Sequence, residues 1–226
     1  DDEVYLARLV LPDLLQWCKA ASADVQSVCE SLAAWNGKAD LDSGMGLVHF
    51  ENLLDSLAEY PEVWRVAFDA KDPQHTPRGL AVEQAAVSKR VHEAALASLA
   101  QLSESGTPGQ AKWGQVQQAL DGTPVPGGPQ ALGIYNAMYS VPHGAGKRLV
   151  VSGTSYLQLV SFTDKGPEAR GLLAFSQSSE AASPHASDQT KAFSAKQLAA
   201  IPFTEAQIKA DPAYSEVVIS ERAAVR

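Results

Sequence analysis

The sequence predicts an α+β fold, with a helical first half and a strand-rich last third. Three observations carry this expectation. Apolar residues recur at helical spacing through the first hundred positions. Glycine, proline and serine dominate from residue 104 to about residue 133. Arg148 to Phe162 then alternates in character and is rich in valine, leucine and tyrosine. The chain therefore divides into a helical part (1–105), a Gly/Pro-rich connection (106–133) and a strand-rich part (134–226).

Val4 to Leu11 is strongly apolar from the outset, so the first residues read as a chain caught in mid-structure. Pro12 suits the first turn of a helix running to about Ala20, with Leu11, Leu14, Leu15 and Cys18 on one face. Asp24 fits as the N-cap of a second helix, which carries Val25, Val28, Leu32 and Trp35 at helical spacing and stops at Asn36-Gly37. A third helix follows the turn at Asp42-Ser43-Gly44. Its stripe is Leu47, Phe50, Leu54 and Leu57, and it ends by Pro61. Residues 62–78 read as a packed irregular connection. The longest helix is expected from about Gly79 to Ser103, with Val87, Val91, Ala94, Leu99 and Leu102 inward and Gly106 and Pro108 as its stop.

Pro124-Val125-Pro126-Gly127-Gly128-Pro129 cannot be regular structure, because proline removes donors and glycine favours turns. So long a loop, interrupted by a short Lys112–Leu120 segment, suggests packing against other protein. Strands are expected at Arg148–Phe162, broken at Ser152-Gly153, then at Gly171–Ser176 and Glu216–Ser220. Asp164-Lys165-Gly166-Pro167 reads as the hairpin-like link between the first two.

The 226 residues are 45% apolar, enough for a substantial core, and carry a net charge of −8. Lys89-Arg90 and Lys147-Arg148 are isolated basic pairs, which argues against a nucleic-acid partner. No apolar run approaches the roughly 20 residues that span a bilayer, so no membrane role is expected. Cys18 and Cys29 flank the connection at Ala20–Asp24, which could bring them together. A disulfide closing so short a loop would add roughly 2–3 kcal/mol and imply an oxidising compartment. Two buried free thiols are the other reading.

Candidate chemistry is sparse. Ser176, Ser178, His185 and Asp188 lie close together after a strand, but no Gly-x-Ser-x-Gly elbow presents a serine. Sequence proximity alone does not make a nucleophile–base–carboxylate array, and a hydrogen-bonded structural loop is the preferred reading. His49, His75, His92, His143 and His185 are scattered without metal-ligand spacing; His92 is expected to face solvent. Gly144-Ala145-Gly146-Lys147-Arg148 precedes a strand, so it reads as a turn, since a phosphate loop follows a strand and opens a helix. Trp17, Trp35, Trp64 and Trp113 read mostly as core. No carboxylate pair stands alone in an apolar setting. The residues themselves therefore assign no catalytic, cofactor or metal site.

An ordered set of motifs goes further. Ser176-Gln177-Ser178, Ser183-Pro184-His185 and Asp188-Gln189 resemble the signature near the C-terminus of the penicillin amidase family. The stretch Leu9-Val10-Leu11-Pro12-Asp13-Leu14-Leu15, the two cysteines, and Leu32-Ala33-Ala34-Trp35-Asn36-Gly37 resemble the helical part of its β subunit. Gly127-Gly128 with Asn136, Gly153-Thr154-Ser155-Tyr156 and Pro202-Phe203-Thr204 follow in order. The closer match is to the acyl-homoserine lactone acylase and aculeacin acylase-like branch.

The resemblance implies the C-terminal part of an N-terminal-nucleophile hydrolase with an αββα sandwich. Its precursor cleaves itself to expose a serine whose own α-amine acts as base in acyl transfer. Residue 1 here is Asp1, which has no hydroxyl, so the nucleophile, its oxyanion donors and any calcium ligands are expected upstream. The partners implied are the α subunit, the N-terminal part of the β subunit and a small-molecule acyl amide. The compartment implied is periplasmic or secreted. A non-enzymatic extracytoplasmic interaction module is the rival reading of the same residues.

Overall fold

The computed structural model describes residues 2–219. They pack as two units, one running to Ser155 and the other from Tyr156 onward. The architecture is α+β, as expected.

The first unit is built on four helices. Helix α1 (Tyr5–Cys18) begins well before Pro12, which sits in its interior. The expected start at Pro12 is thus corrected. A mid-helix proline forfeits one backbone hydrogen bond, yet Ala7, Val10, Leu14 and Trp17 form one buried face on both sides of it. Asp24 is not an N-cap either. It lies within a 3₁₀ turn, Ala23–Val25, and makes no cap hydrogen bond to helix α2 (Gln26–Ala34). Val25, Val28, Leu32 and Trp35 are buried as the spacing required.

Helix α3 (Gly46–Leu57) buries Leu47, Phe50, Leu54 and Leu57. It approaches α2 so closely that a Cβ on Gly46 would lie 2.4 Å from Ser31 O and from Trp35 Cβ. Only glycine fits there. The irregular connection contains a short antiparallel pair, β1 (Trp64–Val66) and β2 (Arg78–Leu80). Helix α4 (Ala85–Ser105) therefore starts six residues later than Gly79, which belongs to β2. Val87, Val91, Ala94 and Leu102 face the core, and Gly106 closes the helix in the left-handed region at φ 70.

The Gly/Pro-rich segment packs in part against its own chain. After the single-turn helix α5 (Trp113–Val116) and the two-residue strand β3 (Gln117–Gln118), its carbonyls are captured by buried side chains. Trp113 Nε1 donates to Gly127 O at 2.9 Å, and Gln117 Nε2 donates to Val125 O and Gly127 O at 2.9 and 3.0 Å. Gly127 has φ 98, and a Cβ there would lie 2.3 Å from Asn136 O. Strand β4 (Met138–Pro142), which the periodicity did not predict, and β5 (Arg148–Gly153) complete a sheet in the order β3-β5-β4. Its β3–β5 pair is parallel and its β4–β5 pair antiparallel.

The second unit is an antiparallel meander, with β6 (Tyr156–Thr163), β7 (Gly166–Leu173), helix α6 (Asp188–Ser194), β8 (Ala199–Ile201) and helix α7 (Glu205–Lys209). The hairpin at Asp164-Lys165 falls where the sequence puts it, with Thr163 opposite Gly166, whereas the break expected at Ser152-Gly153 comes at Thr154-Ser155, because Ser152 and Gly153 still pair with β4. Strand β7 starts earlier than Gly171, because it pairs with β6 along its whole length. No strand forms over residues 216–219, and Ser220, the last position of that expectation, lies outside the described residues. No helix among the described residues is long and apolar enough to cross a membrane.

Candidate functional site

The signature residues of the second unit are joined into one closed loop by hydrogen bonds. The main-chain N–H groups of Gln177 and Ser178 both donate to His185 O, at 3.2 and 3.1 Å. Ser183 Oγ accepts from His185 N. Gln189 Oε1 accepts from Leu173 N at 2.7 Å, tying the loop to the end of β7. Ser176 has φ 62, a conformation that costs energy for a side chain with a Cβ. Its Oγ accepts from Thr190 N at 2.9 Å and lies 3.0 Å from Thr190 Oγ1, which fastens it to the first turn of α6.

The structure brings His185 and Asp188 together, with Nδ1 2.8 Å from Oδ2. That hydrogen bond, followed by one from Gln189 N, holds the Asp188 carboxyl below its ordinary range. It does not bring either serine to the imidazole. Ser176 Oγ is engaged by Thr190, and Ser178 Oγ accepts from Glu180 N. A hydroxyl without a base in hydrogen-bond reach is not an activated nucleophile. The loop is a fastening.

In the first unit, Cys18 and Cys29 form a disulfide with Cα atoms 5.5 Å apart. It staples the end of α1 to α2 across the 3₁₀ turn. That turn is also tied to α4: His92 Nε2 lies 3.1 Å from both Ser22 Oγ and Asp24 Oδ2. His92 is half-buried in this cluster, where solvent exposure was expected. The hydrogen bond from Ser22 and then that of His92 lower the Asp24 carboxyl. Both partners meet the same ring nitrogen, so the trio cannot relay a proton as a Ser–His–Asp array does.

Two ionisable groups of helix α3 are buried. His49 is only 2% exposed, with Nδ1 2.8 Å from Ser98 Oγ, which also accepts from Asn52 Nδ2 at 3.0 Å. Burial pushes the His49 imidazole down to about 4, so it is neutral near pH 7. Glu51 lies 3.6 Å from the Arg148 guanidinium, and its Oε2 has no partner. Burial raises the Glu51 carboxyl, with Arg148 opposing and Asp55 adding to the rise. Sequence reasoning named His49 only as one of five scattered histidines and passed over Glu51. A single polar residue within an apolar helix carries no spacing signal, and its partners Ser98 and Arg148 are remote in the chain.

A cavity of about 690 Å³ opens between α2, α3 and α4, bounded by the segment 107–112. His49 reaches it from within, and Glu30, Asp42 and Lys112 line it from exposed positions. Among the described residues no three His, Cys, Asp or Glu side chains converge as a metal site would need. Gly144 to Arg148 forms the expected turn, with Lys147 N donating to Gly144 O before β5.

Comparison with known proteins identifies the family. The family model for penicillin amidase matches residues 1–210. The chain is 86% identical over 98% of its length to the acyl-homoserine lactone acylase PvdQ of Pseudomonas putida, and 56% identical over 95% to that of Pseudomonas fluorescens. The aculeacin-A acylase of Actinoplanes utahensis is 32% identical over 91%. The chain spans 29%, 28% and 27% of those proteins respectively. A thermostable penicillin G acylase from Alcaligenes faecalis aligns structurally over 98% of this chain and 47% of that one, at TM-score 0.47 and 17% identity. The match of the family model over nearly the whole chain, in the order the motifs run, makes this chain a member of the penicillin amidase family.

Proposed function

We propose that this chain is the C-terminal portion of the β subunit of an amide-hydrolysing acylase, acting on acyl-homoserine lactones or penicillin-type amides. Its role is scaffold, and the nucleophile serine comes from polypeptide upstream. One observation carries the reading: 86% identity over 98% of this chain reaches only 29% of the acyl-homoserine lactone acylase it matches. The parts 1–105, 106–133 and 134–226 are then successive pieces of one larger β subunit. Their partners are the α subunit and the N-terminal part of the β subunit.

Three features fit this role. The signature serines are spent on hydrogen bonds within their own loop, which suits a scaffold. The disulfide suits a periplasmic or secreted protein, because such bonds persist in oxidising compartments. Strand β6 is a sheet edge exposed on both faces, with Phe162 87% exposed, and suits a segment that adds its strands to the αββα sandwich of a larger body. On this reading, any calcium that the family resemblance implies would take its ligands from the upstream segments.

The direct test is hydrolysis of an acyl-homoserine lactone by the full-length protein and by the 226-residue chain alone. We expect fatty acid and homoserine lactone from the former and no turnover by the latter. Sustained turnover by the pure chain would overturn the assignment of the nucleophile upstream.

A further inference from the structure

We infer that the free edge of β6 docks an extended, uncharged strand of the upstream acylase polypeptide through main-chain hydrogen bonds to Tyr156, Gln158, Val160 and Phe162. The identity of that partner rests on the acylase reading. The pairing turns β6 from an edge strand into an interior one.

The free groups follow from the register. Strands β6 and β7 pair without a shift from Tyr156 opposite Leu173 to Thr163 opposite Gly166, and a two-residue turn closes the hairpin. Such a turn closes on a hydrogen-bonded pair, and hydrogen-bonded pairs then alternate along an antiparallel ladder. The main chain of Thr163, Ser161, Leu159 and Leu157 therefore faces β7, and that of Phe162, Val160, Gln158 and Tyr156 faces away from it. Strand β6 is the outer strand of its sheet, which runs β6-β7-β8. Among the described residues, no main-chain hydrogen bond outside the sheet reaches these last four.

An open edge is a template for another strand, and folded proteins blunt their edges with short strands, proline, charge or bulges. The other outer strands of the described sheets are blunted in this way. Strand β8 has three residues and runs into Pro202, and β3 has two. Strand β4 shifts register between Tyr139 and Ser140 and ends in Pro142. Strands β1 and β2 have three residues each. Strand β6 has eight residues, with no charge, proline or register shift. It alone is unguarded.

The side chains set the chemistry of the partner. Tyr156, Val160 and Phe162 project from one face of β6 and Leu159 from the other, and all four are exposed. Apolar groups on both faces are the pattern of a strand inside a sheet that is covered on both sides. Ionised side chains on the neighbouring strand would be costly in such a layer, so the partner strand is uncharged. A second copy of the chain would bring an edge but only the same uncovered faces. The matched acylases continue over more than two thirds of their length beyond the aligned region, which is polypeptide enough to supply both the strand and the cover.

The test is hydrogen exchange on the full-length wild-type protein, read amide by amide along β6. With the edge paired, the amides of Gln158, Val160 and Phe162 are protected to within about tenfold of those of Leu157, Leu159 and Ser161. Protection that alternates by more than this would mean covered faces without a ladder and would overturn the inference, as would fast exchange of both sets. The occupant is identified in the same protein by replacing Phe162 with the photo-crosslinker p-benzoylphenylalanine and mapping its adducts by mass spectrometry. We expect adducts within one molecule, to residues upstream of Asp1. Adducts only between two molecules, or only to the 226 residues of this chain, would overturn the choice of partner. Hydrolysis of an acyl-homoserine lactone is followed on the same preparation. Hydrolysis with alternating protection removes the ladder alone. Uniform protection with upstream adducts but no hydrolysis leaves the ladder and removes the acylase reading.

Discussion

Residues 2–155 and residues 156–219 use apolar side chains in opposite ways. The first unit buries a continuous cluster of leucine, valine, phenylalanine and tryptophan around Leu14, Leu32, Phe50, Leu53 and Trp113. In the second, among the described residues, the buried apolar side chains are Leu172, Ala174 and Phe193, while Tyr156, Leu159, Val160, Phe162 and Phe203 stand in solvent. Both units contain hydrogen-bonded strand pairs. What separates them is the apolar area removed from water, which dominates folding free energy. A three-stranded meander with apolar groups on both faces of its edge strand gains little by folding alone. On the proposed reading, the rest of the acylase supplies the surface that these apolar groups lack within their own unit.

The contrast can be sharpened by substitution in the isolated chain. Phe50→Ala should cost about 3–5 kcal/mol in chemical denaturation, because a fully buried aromatic leaves a cavity behind. Phe162→Ala should change stability by less than about 0.5 kcal/mol, because its ring is in water. Equal costs at the two sites would break the comparison.

A smaller effect concerns pH. The His49 pKa in the folded chain, about 4, lies below its ordinary 6.5. Between these values the unfolded chain binds more protons than the folded one, so stability falls as pH drops from about 6.5 toward 4. The full loss for a shift of this size is about 3 kcal/mol. Glu51 is shifted up and acts with the opposite sign, so the difference between wild-type and His49→Asn profiles isolates the histidine. Parallel profiles would show that the imidazole is not buried neutral. Smaller again is the staple: replacing both Cys18 and Cys29 by alanine should cost about 2–3 kcal/mol in the first unit. It should leave hydrogen exchange in β6 unchanged.

Much of the first unit was legible because its helices are amphipathic and long. The stripes Val25-Val28-Leu32-Trp35 and Leu47-Phe50-Leu54-Leu57 both point inward. Boundaries were lost where tertiary packing overrode local preference. Pro12 reads as a helix start, but the buried face running from Ala7 to Trp17 carries α1 through it. Asp24 reads as a cap, but its carboxylate serves Ser22 and His92. Strands β1 and β4 are short, three and five residues, and offer little periodicity. The disulfide was legible from spacing as one of two readings. The cavity was not, because His49, Ser98 and the segment 107–112 meet only after α3 and α4 pack together.

Hydrogen exchange at β6, in the chain alone and within the full-length protein, tests most directly whether the second unit is built to be covered. The account predicts amides of Tyr156–Thr163 that exchange rapidly in the isolated chain and gain strong protection in the full-length protein. Protection of β6 that is equally strong in both would contradict it.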